Sequence, residues 1–585
     1  MPFATHADKD VIKVSLFALA NIRAPSAGKV LINAAEQAGY KYDFTNAVSS
    51  LLVYAEQLIS TDKTGAVSIA NTILAKAKAA DQVNQRIAAL QIISTTAADQ
   101  KALLAAMKDK DFGYRAAAIK SAGTNLNATN SVAWIQELKK ADALTKVAIL
   151  DMLATSDTKS ALPEVLKLVK NENQDVKFAA VNAAVKIGQE AILPDLLKQM
   201  SSGNTNDISN ISNGLLRMAS KNVTSTIADY LPAAKPEVQV ALINVLAARS
   251  ATAQINIIYD QLNSKNAEVK KAAFQSLKHI ASASNTPQLF DLLNKTTAPD
   301  ELTAVQEAII ASFKGTTAVD AQTSAVLAQI SSAPTDKKLL FYKILASLGG
   351  EKSLKAINEA YEAGDNATKK TAIDALSAWK DSNSTAALIK IARTSSNPAF
   401  LEQALTGYIN LVRKSAYTAE QRVLLLRNAM DLATNTAMQQ QIIRDAAQAK
   451  CYNSILFAGQ YLSTPALQQA AANTVMNITM AGVYHGDIVK GMLNKTIAVI
   501  TGPDADYQKE GMRKYISEMK SGEGFVQVFN GKDLTGWKGL VSDPIKRAKM
   551  TPTALAAAQT KADAEAQESW KVINGELQFQ SHGNN

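Results

Sequence analysis

Between residues 66 and 305, apolar side chains return in two columns with a stride of 31 residues. One column runs Ile73, Leu104, Ile135, Leu166, Leu197, Ala228, Tyr259 and Phe290. The other runs Ala88, Ile119, Leu150, Val181, Ser212, Ile243, Phe274 and Val305. Two columns in phase predict two helices per unit, each burying one stripe against its neighbours. The stretch DVKFAAVNAAVKIG at 175–188 is the clearest second helix, and VQVALINVLAAR at 238–249 and VKKAAFQSLKHIA at 269–281 repeat it. Only Ser212 breaks the second column, inside a polar unit, SSGNTNDISNISNG, that reads as a degenerate repeat. Pro163, Pro194 and Pro287 share the register at the start of the first helix, where a missing N–H costs least.

Past residue 305 the spacing loosens, with second-helix positions at Phe341, Ile373, Leu405, Ile443 and Ala472. The array is therefore expected to fill residues 1–500 with a dozen or more helix pairs. Residues 10–22, DVIKVSLFALANI, read as a second helix whose partner would lie upstream of Met1, so a truncated N-terminus is expected. Gly502-Pro503-Asp504 interrupts the pattern, and a polar helix over about 505–519 and a Gly-rich joint complete a connecting segment, 501–523.

Composition narrows the picture. The chain carries a net charge of +10, and residues 523–585 are balanced, so the surplus lies in the array. Lys177, Lys270, Lys338 and Lys369 fall near equivalent helix starts, often behind an acid such as Asp175, Glu268 or Asp336. This reads as a ladder of solvated or inter-repeat acid–base pairs rather than the clustered positive patch of a nucleic-acid surface, and nucleic acid is disfavoured as a partner. Cys451, in a helical segment, is the only cysteine, which excludes an intrachain disulfide. No apolar run spans a bilayer, and residues 1–10 lack the basic start and apolar core of an export signal.

Residues 161–188, ALPEVLKLVKNENQDVKFAAVNAAVKIG, resemble a HEAT repeat: an early Pro163, a Leu/Val stripe, the Asp175-Val176-Lys177 opening and an Ala-rich second helix. The expected fold is mainly α, a HEAT-type α-solenoid of stacked helix pairs. Such an array recruits a protein partner on its surface, and a non-catalytic interaction scaffold is one reading of the whole chain.

The tail differs in kind. FVQVF at 525–529 alternates and is β-prone, and Asn530-Gly531-Lys532-Asp533 supplies a turn. Thr551 and Pro552 open an Ala-rich helix to about Ser569. Trp570-Lys571-Val572-Ile573 and Glu576-Leu577-Gln578-Phe579 then flank Asn574-Gly575, a strong hairpin signal. FNGKDLTGW at 529–537, WKVINGEL at 570–577 and His582-Gly583 together resemble the opening of the 3-keto-disaccharide hydrolase domain, a concanavalin-like β-sandwich of exported bacterial proteins. The resemblance covers 524–585 and implies a short β-rich segment, the start of a jelly-roll. It also implies a location in the periplasm or at the cell surface.

The chemistry implied is cleavage of a glycosidic bond in a sugar bearing a ketone at C3. The ketone acidifies the C2 hydrogen, a base removes it, and the C1 substituent leaves. Such a site needs a base and a group stabilising the enolate oxygen, either hydrogen-bond donors or a divalent metal, for which no ligand set is visible. His582 and Asp533 are the candidates for proton transfer, with Asp533 also a standard turn residue. Trp537, Trp570 and Asn530 are the candidates for contacting a carbohydrate substrate, although tryptophans in this setting are more often core. His6, His279 and His485 are scattered and show no metal spacing. A sandwich needs about seven strands, and residues 524–585 offer three or four, so the sequence is expected to be a fragment, inactive as an enzyme.

Overall fold

Local chemistry sets where each helix begins. Pro163 lies in the first turn of Leu162–Leu168, and Pro194 and Pro287 take the same place in Leu193–Ser202 and Thr286–Lys295. The partner helix of the first pair, Gln174–Gly188, is capped by Asn173, whose side chain accepts from the Val176 N–H at 3.1 Å. Asp111, Asp142, Asn204 and Asn266 cap Phe112–Gly123, Ala143–Thr155, Thr205–Arg217 and Ala267–Ile280 in the same way.

The computed structural model describes residues 2–79, 81–96, 100–315, 317–481, 484–519, 528–573 and 575–580. These form two compact units, Met1–Thr317 with Ser332–Lys337, and Ala318–Ser331 with Lys338–Asn585. The division falls where the 31-residue stride loosens.

In the first unit the second helices stack in sequence. Val83–Thr96, Phe112–Gly123, Ala143–Thr155, Gln174–Gly188, Thr205–Arg217, Pro236–Ala248, Ala267–Ile280 and Pro299–Ser312 each pack on the next. The predicted second column lies in their core: Ile119, Leu150, Val181, Ile243, Phe274 and Val305 are all buried. Parallel columns deepen it, with Leu153, Ala184, Leu215, Leu246, Leu277 and Ala308 fully buried. The polar unit around Ser212 is a complete helix, Thr205–Arg217, and its Ser212 hydroxyl donates to the Ile208 carbonyl at 2.7 Å.

The predicted first column is buried at Ile73, Leu197 and Phe290 and needs correction by one residue elsewhere. Leu104, Ile135, Leu166, Ala228 and Tyr259 are half-buried. The residues just before them, Leu103, Trp134, Val165, Ile227 and Ile258, are buried, as are Leu196 and Leu289 beside the likewise buried Leu197 and Phe290. Both columns are apolar at almost every turn, so the stride is plain from composition while the phase depends on which flank meets the second helix. Helix Lys9–Ile22 packs mainly on Ala47–Leu58, the place of a second helix, as its pattern predicts.

In the second unit Phe341, Ile373, Leu405, Ile443 and Ala472 are all fully buried, each on a second helix. Gly407 lets Pro398–Lys414 approach closely: a Cβ there would lie 2.0 Å from the Ser377 hydroxyl oxygen. Helix Ala505–Glu518 packs on Asp487–Val499, with Met512 fully buried, so helix pairing continues past residue 500. Cys451 sits at the cap before helix Tyr452–Gly459, buried, with its Sγ 3.4 Å from the Ser454 hydroxyl.

The tail holds helices Pro544–Ala548 and Pro552–Ser569 and one antiparallel hairpin, Trp570–Ile573 with Glu576–Phe579. Thr551 caps the longer helix by accepting from the Ala554 N–H, with Pro552 in its first turn. Val528 and Phe529 are not in a strand, and residues 525–527 of the expected strand lie outside the described residues. The described tail thus has more residues in helix than in strand, with two strands.

Candidate functional site

Charge in the first unit is spent on joining neighbouring helices. Arg86 pairs with Asp109 across adjacent repeats and stacks 4.0 Å from the Tyr114 ring centroid. Burial alone would raise the Asp109 carboxyl, but the Asp111 N–H and the Arg86 guanidinium outweigh it and hold the pKa below the usual value. Arg115 reaches Asp142 at 2.8 Å and the Thr145 hydroxyl at 2.9 Å. Lys177 pairs with Asp207 at 2.8 Å, Lys270 with Glu301 at 2.6 Å and Lys278 with Glu307 at 2.9 Å. The expected inter-repeat acid–base pairs are present at Lys177 and Lys270, with the acids supplied by the following repeat.

Other cations serve carbonyls that a helix end leaves without partners. Arg249 donates to the Leu215, Leu216 and Met218 carbonyls at 2.9–3.1 Å, where helix Thr205–Arg217 ends. Lys159 donates to the Ile187 carbonyl at 2.8 Å and Lys380 to that of Leu348 at 2.5 Å. Positive charge at a helix C-terminus complements the macrodipole. Arg249, Lys159 and Lys380 are therefore structural.

Two grooves are lined by second helices of the first unit. The larger, about 1080 Å³, lies among Pro236–Ala248, Ala267–Ile280 and Pro299–Ser312, with Phe274 in its wall. The Lys270–Glu301 and Lys278–Glu307 pairs join two of its walls. The smaller, about 540 Å³, lies among Phe112–Gly123, Ala143–Thr155 and Gln174–Gly188 and is more apolar. Phe112, Leu144 and Phe178 line it at 37%, 58% and 49% exposure, one from each of three successive helices. None of the three was singled out by sequence, because an apolar residue on a helix looks the same whether it faces inward or out. The available signal was their position off the buried columns.

The candidates in the tail form local structure. The Asn530 side-chain oxygen accepts from the Lys532 and Asp533 N–H groups at 2.8 and 2.9 Å, and its amide donates to the Asp533 carboxylate at 2.7 Å. Thr535 and Asn530 hold Asp533 down to a pKa of about 2, so at neutral pH it is a weakly basic carboxylate engaged in a turn. Trp537 is 46% exposed, donates its indole N–H to the Val528 carbonyl at 3.0 Å and meets the Phe529 ring edge-on. Trp570 stacks at a tilt on Phe579, its partner in the hairpin register, 5.2 Å between ring centroids. His582 lies outside the described residues, as do residue 574 and the joint over 520–527. Asn530 and Asp533 therefore share one turn, Trp537 closes the next by donating its backbone N–H to the Leu534 carbonyl, and Trp570 lies on the hairpin.

Among the described residues no cluster of three or more His, Cys, Asp or Glu side chains could hold a metal ion. No described helix is long and apolar enough to cross a membrane.

Residues 131–211 match the family model of HEAT repeats. Among solved structures, the karyopherin Kap121p bound to the extreme C-terminus of the protein phosphatase Cdc14p is similar, at 15% identity and a TM-score of 0.42. The likeness covers 83% of this chain and 58% of that one, so the chain spans less than two thirds of that protein's length. Importin beta in an ammonium sulfate condition is similar at 10% identity and a TM-score of 0.32, over 89% of this chain and 99% of that one. No curated protein matches the sequence. With HEAT repeats at 131–211 and paired helices packed in the same manner through both units, the fold of this chain is a HEAT-type α-solenoid.

Proposed function

We propose that the chain is a non-catalytic protein-interaction scaffold, working in its first unit through the outward side of the second helices. The observation that carries this reading is the set of large apolar side chains left exposed there. Phe112, Leu144 and Phe178 come from helices that otherwise bury their apolar residues, and together they line one groove. Contiguous exposed apolar surface marks binding sites more often than it occurs by chance. The test uses the full chain as bait in a soluble extract, beside a Leu144→Ser/Phe178→Ser variant, with retained proteins quantified by mass spectrometry. Proteins held by the parent and depleted at least tenfold with the variant are expected, at unchanged helical circular dichroism. Equal retention by both would overturn the reading.

A second reading, in which the solenoid tethers a segment resembling 3-keto-disaccharide hydrolases, draws on one observation. The two motif stretches meet: a Cβ built on Gly531 or Gly575 would lie 3.7 Å from the other's carbonyl oxygen. With two strands among the described residues against the roughly seven of a sandwich, this chain is expected to be inactive as it stands. Incubation with a 3-keto-glycoside, followed by chromatography of the products, should show no released leaving group. Release that disappears in Asp533→Asn would make the chain an enzyme and remove the non-catalytic reading.

A further inference from the structure

Across the second helices of the first unit, some acids at the seams between repeats have a cation from the neighbouring repeat. Asp142 has Arg115, Glu301 has Lys270 and Glu307 has Lys278. The smaller groove is lined by acids of the other kind, as Glu237, Glu268 and Asp300 are on neighbouring helices. Asp151 and Asp175 both line it, both are exposed, and among the described residues neither has an ion pair. Lys186 is the one basic residue in the lining. It stands 11 residues along the same helix from Asp175, about 16 Å at the rise of an α-helix. The groove is thus acidic on balance within a chain of net charge +10.

Its walls and size restrict the occupant further. Phe112, Leu144, Val147 and Phe178 offer aromatic and aliphatic surface around a floor of alanines. A volume of about 540 Å³ suits a few side chains and is too small for a folded domain to enter. Carboxylates at the rim repel anionic lipid headgroups and attract ammonium or guanidinium groups.

Resting on the scaffold reading, we propose that this groove binds a short peptide segment that sets bulky apolar side chains beside lysine or arginine. The apolar side chains fill the space between Leu144 and Phe178, and the cation meets Asp151 and Asp175.

The test is selection of a random 12-residue peptide display library on the immobilised full chain, followed by synthesis of the most enriched peptide. An enriched pattern with Leu, Ile, Met, Phe or Trp next to Lys or Arg is expected. Binding of the synthetic peptide should weaken at least tenfold on Leu144→Ser/Phe178→Ser and at least fivefold on Asp151→Lys/Asp175→Lys. It should also weaken as NaCl is raised from 50 to 500 mM. A pattern without basic residues, or affinity indifferent to the charge-reversal variant, would overturn the proposal. Failure of any peptide to enrich would do the same. Vesicles containing phosphatidylserine that sediment the parent chain but not the Leu144→Ser/Phe178→Ser variant would replace the peptide with a membrane surface. If extract proteins still depend on Leu144 and Phe178 while no basic-apolar peptide binds, the peptide chemistry is wrong and the scaffold reading stands.

Discussion

A leucine beside a leucine provides a controlled comparison of burial. In helix Lys101–Ala106, Leu103 is 2% exposed while Leu104 is half-buried. Leu103→Ala should cost about 2–5 kcal/mol, the range for emptying a closed core position, and Leu104→Ala clearly less, as read by urea unfolding. A reversed order would restore the unshifted column. Asp445 supplies a second residue-level test. Its Oδ1 accepts from the Gln441 amide at 3.0 Å, Arg413 stands 3.8 Å away, and its Oδ2 is buried without a hydrogen-bond partner. Burial pushes its pKa up, against the opposing pull of Gln441, Arg413 and Arg444. A carboxyl raised in the folded state favours folding below its unfolded pKa and loses that contribution as pH rises through the folded one. Asp445→Asn is therefore expected to raise the melting temperature at pH 7, with the gain vanishing near pH 3. A gain that persists at pH 3 would show that charge is not the cause.

At the scale of elements, the caps and strides were open to reading and the cross-repeat contacts were not. Thr551 and Pro552, the hairpin strands at Trp570–Ile573 and Glu576–Phe579, and the prolines of the first helices all follow from local rules. By contrast, nothing local says that Lys177 meets Asp207, 30 residues on, or that Arg249 closes the end of helix Thr205–Arg217. Those contacts depend on how one repeat settles on the next. The Lys177–Asp207 side chains are only 12% and 7% exposed, so removing the cation strands a buried carboxylate. Lys177→Met should destabilise the first unit by about 3–5 kcal/mol, the cost of breaking a buried pair. Lys177→Met/Asp207→Leu should recover part of that loss, and a double-mutant cycle measures the coupling. No recovery would mean that the lysine acts through packing alone.

For the molecule as a whole, composition and period disclosed the class of fold, while the working surface depended on helix phase. Phe112, Leu144 and Phe178 lie off the predicted columns, and only the packed structure shows that they face outward together. The motifs that resemble the 3-keto-disaccharide hydrolase opening occupy a tail whose described part includes two helices and a hairpin, with Glu576 of the hairpin paired to Arg427 on helix Ala419–Met430. The basic surplus carries its own prediction. With several lysines and arginines engaged by neighbouring repeats and helix ends and no clustered basic stretch in the sequence, duplex DNA should not bind in about 150 mM salt by electrophoretic shift. The decisive point is where a partner touches the first unit. Hydrogen–deuterium exchange of the full chain, free and bound to a protein recovered from extract, addresses this directly. Protection is predicted over Phe112–Gly123, Ala143–Thr155 and Gln174–Gly188; protection confined to first helices or to the C-terminal hairpin would contradict it.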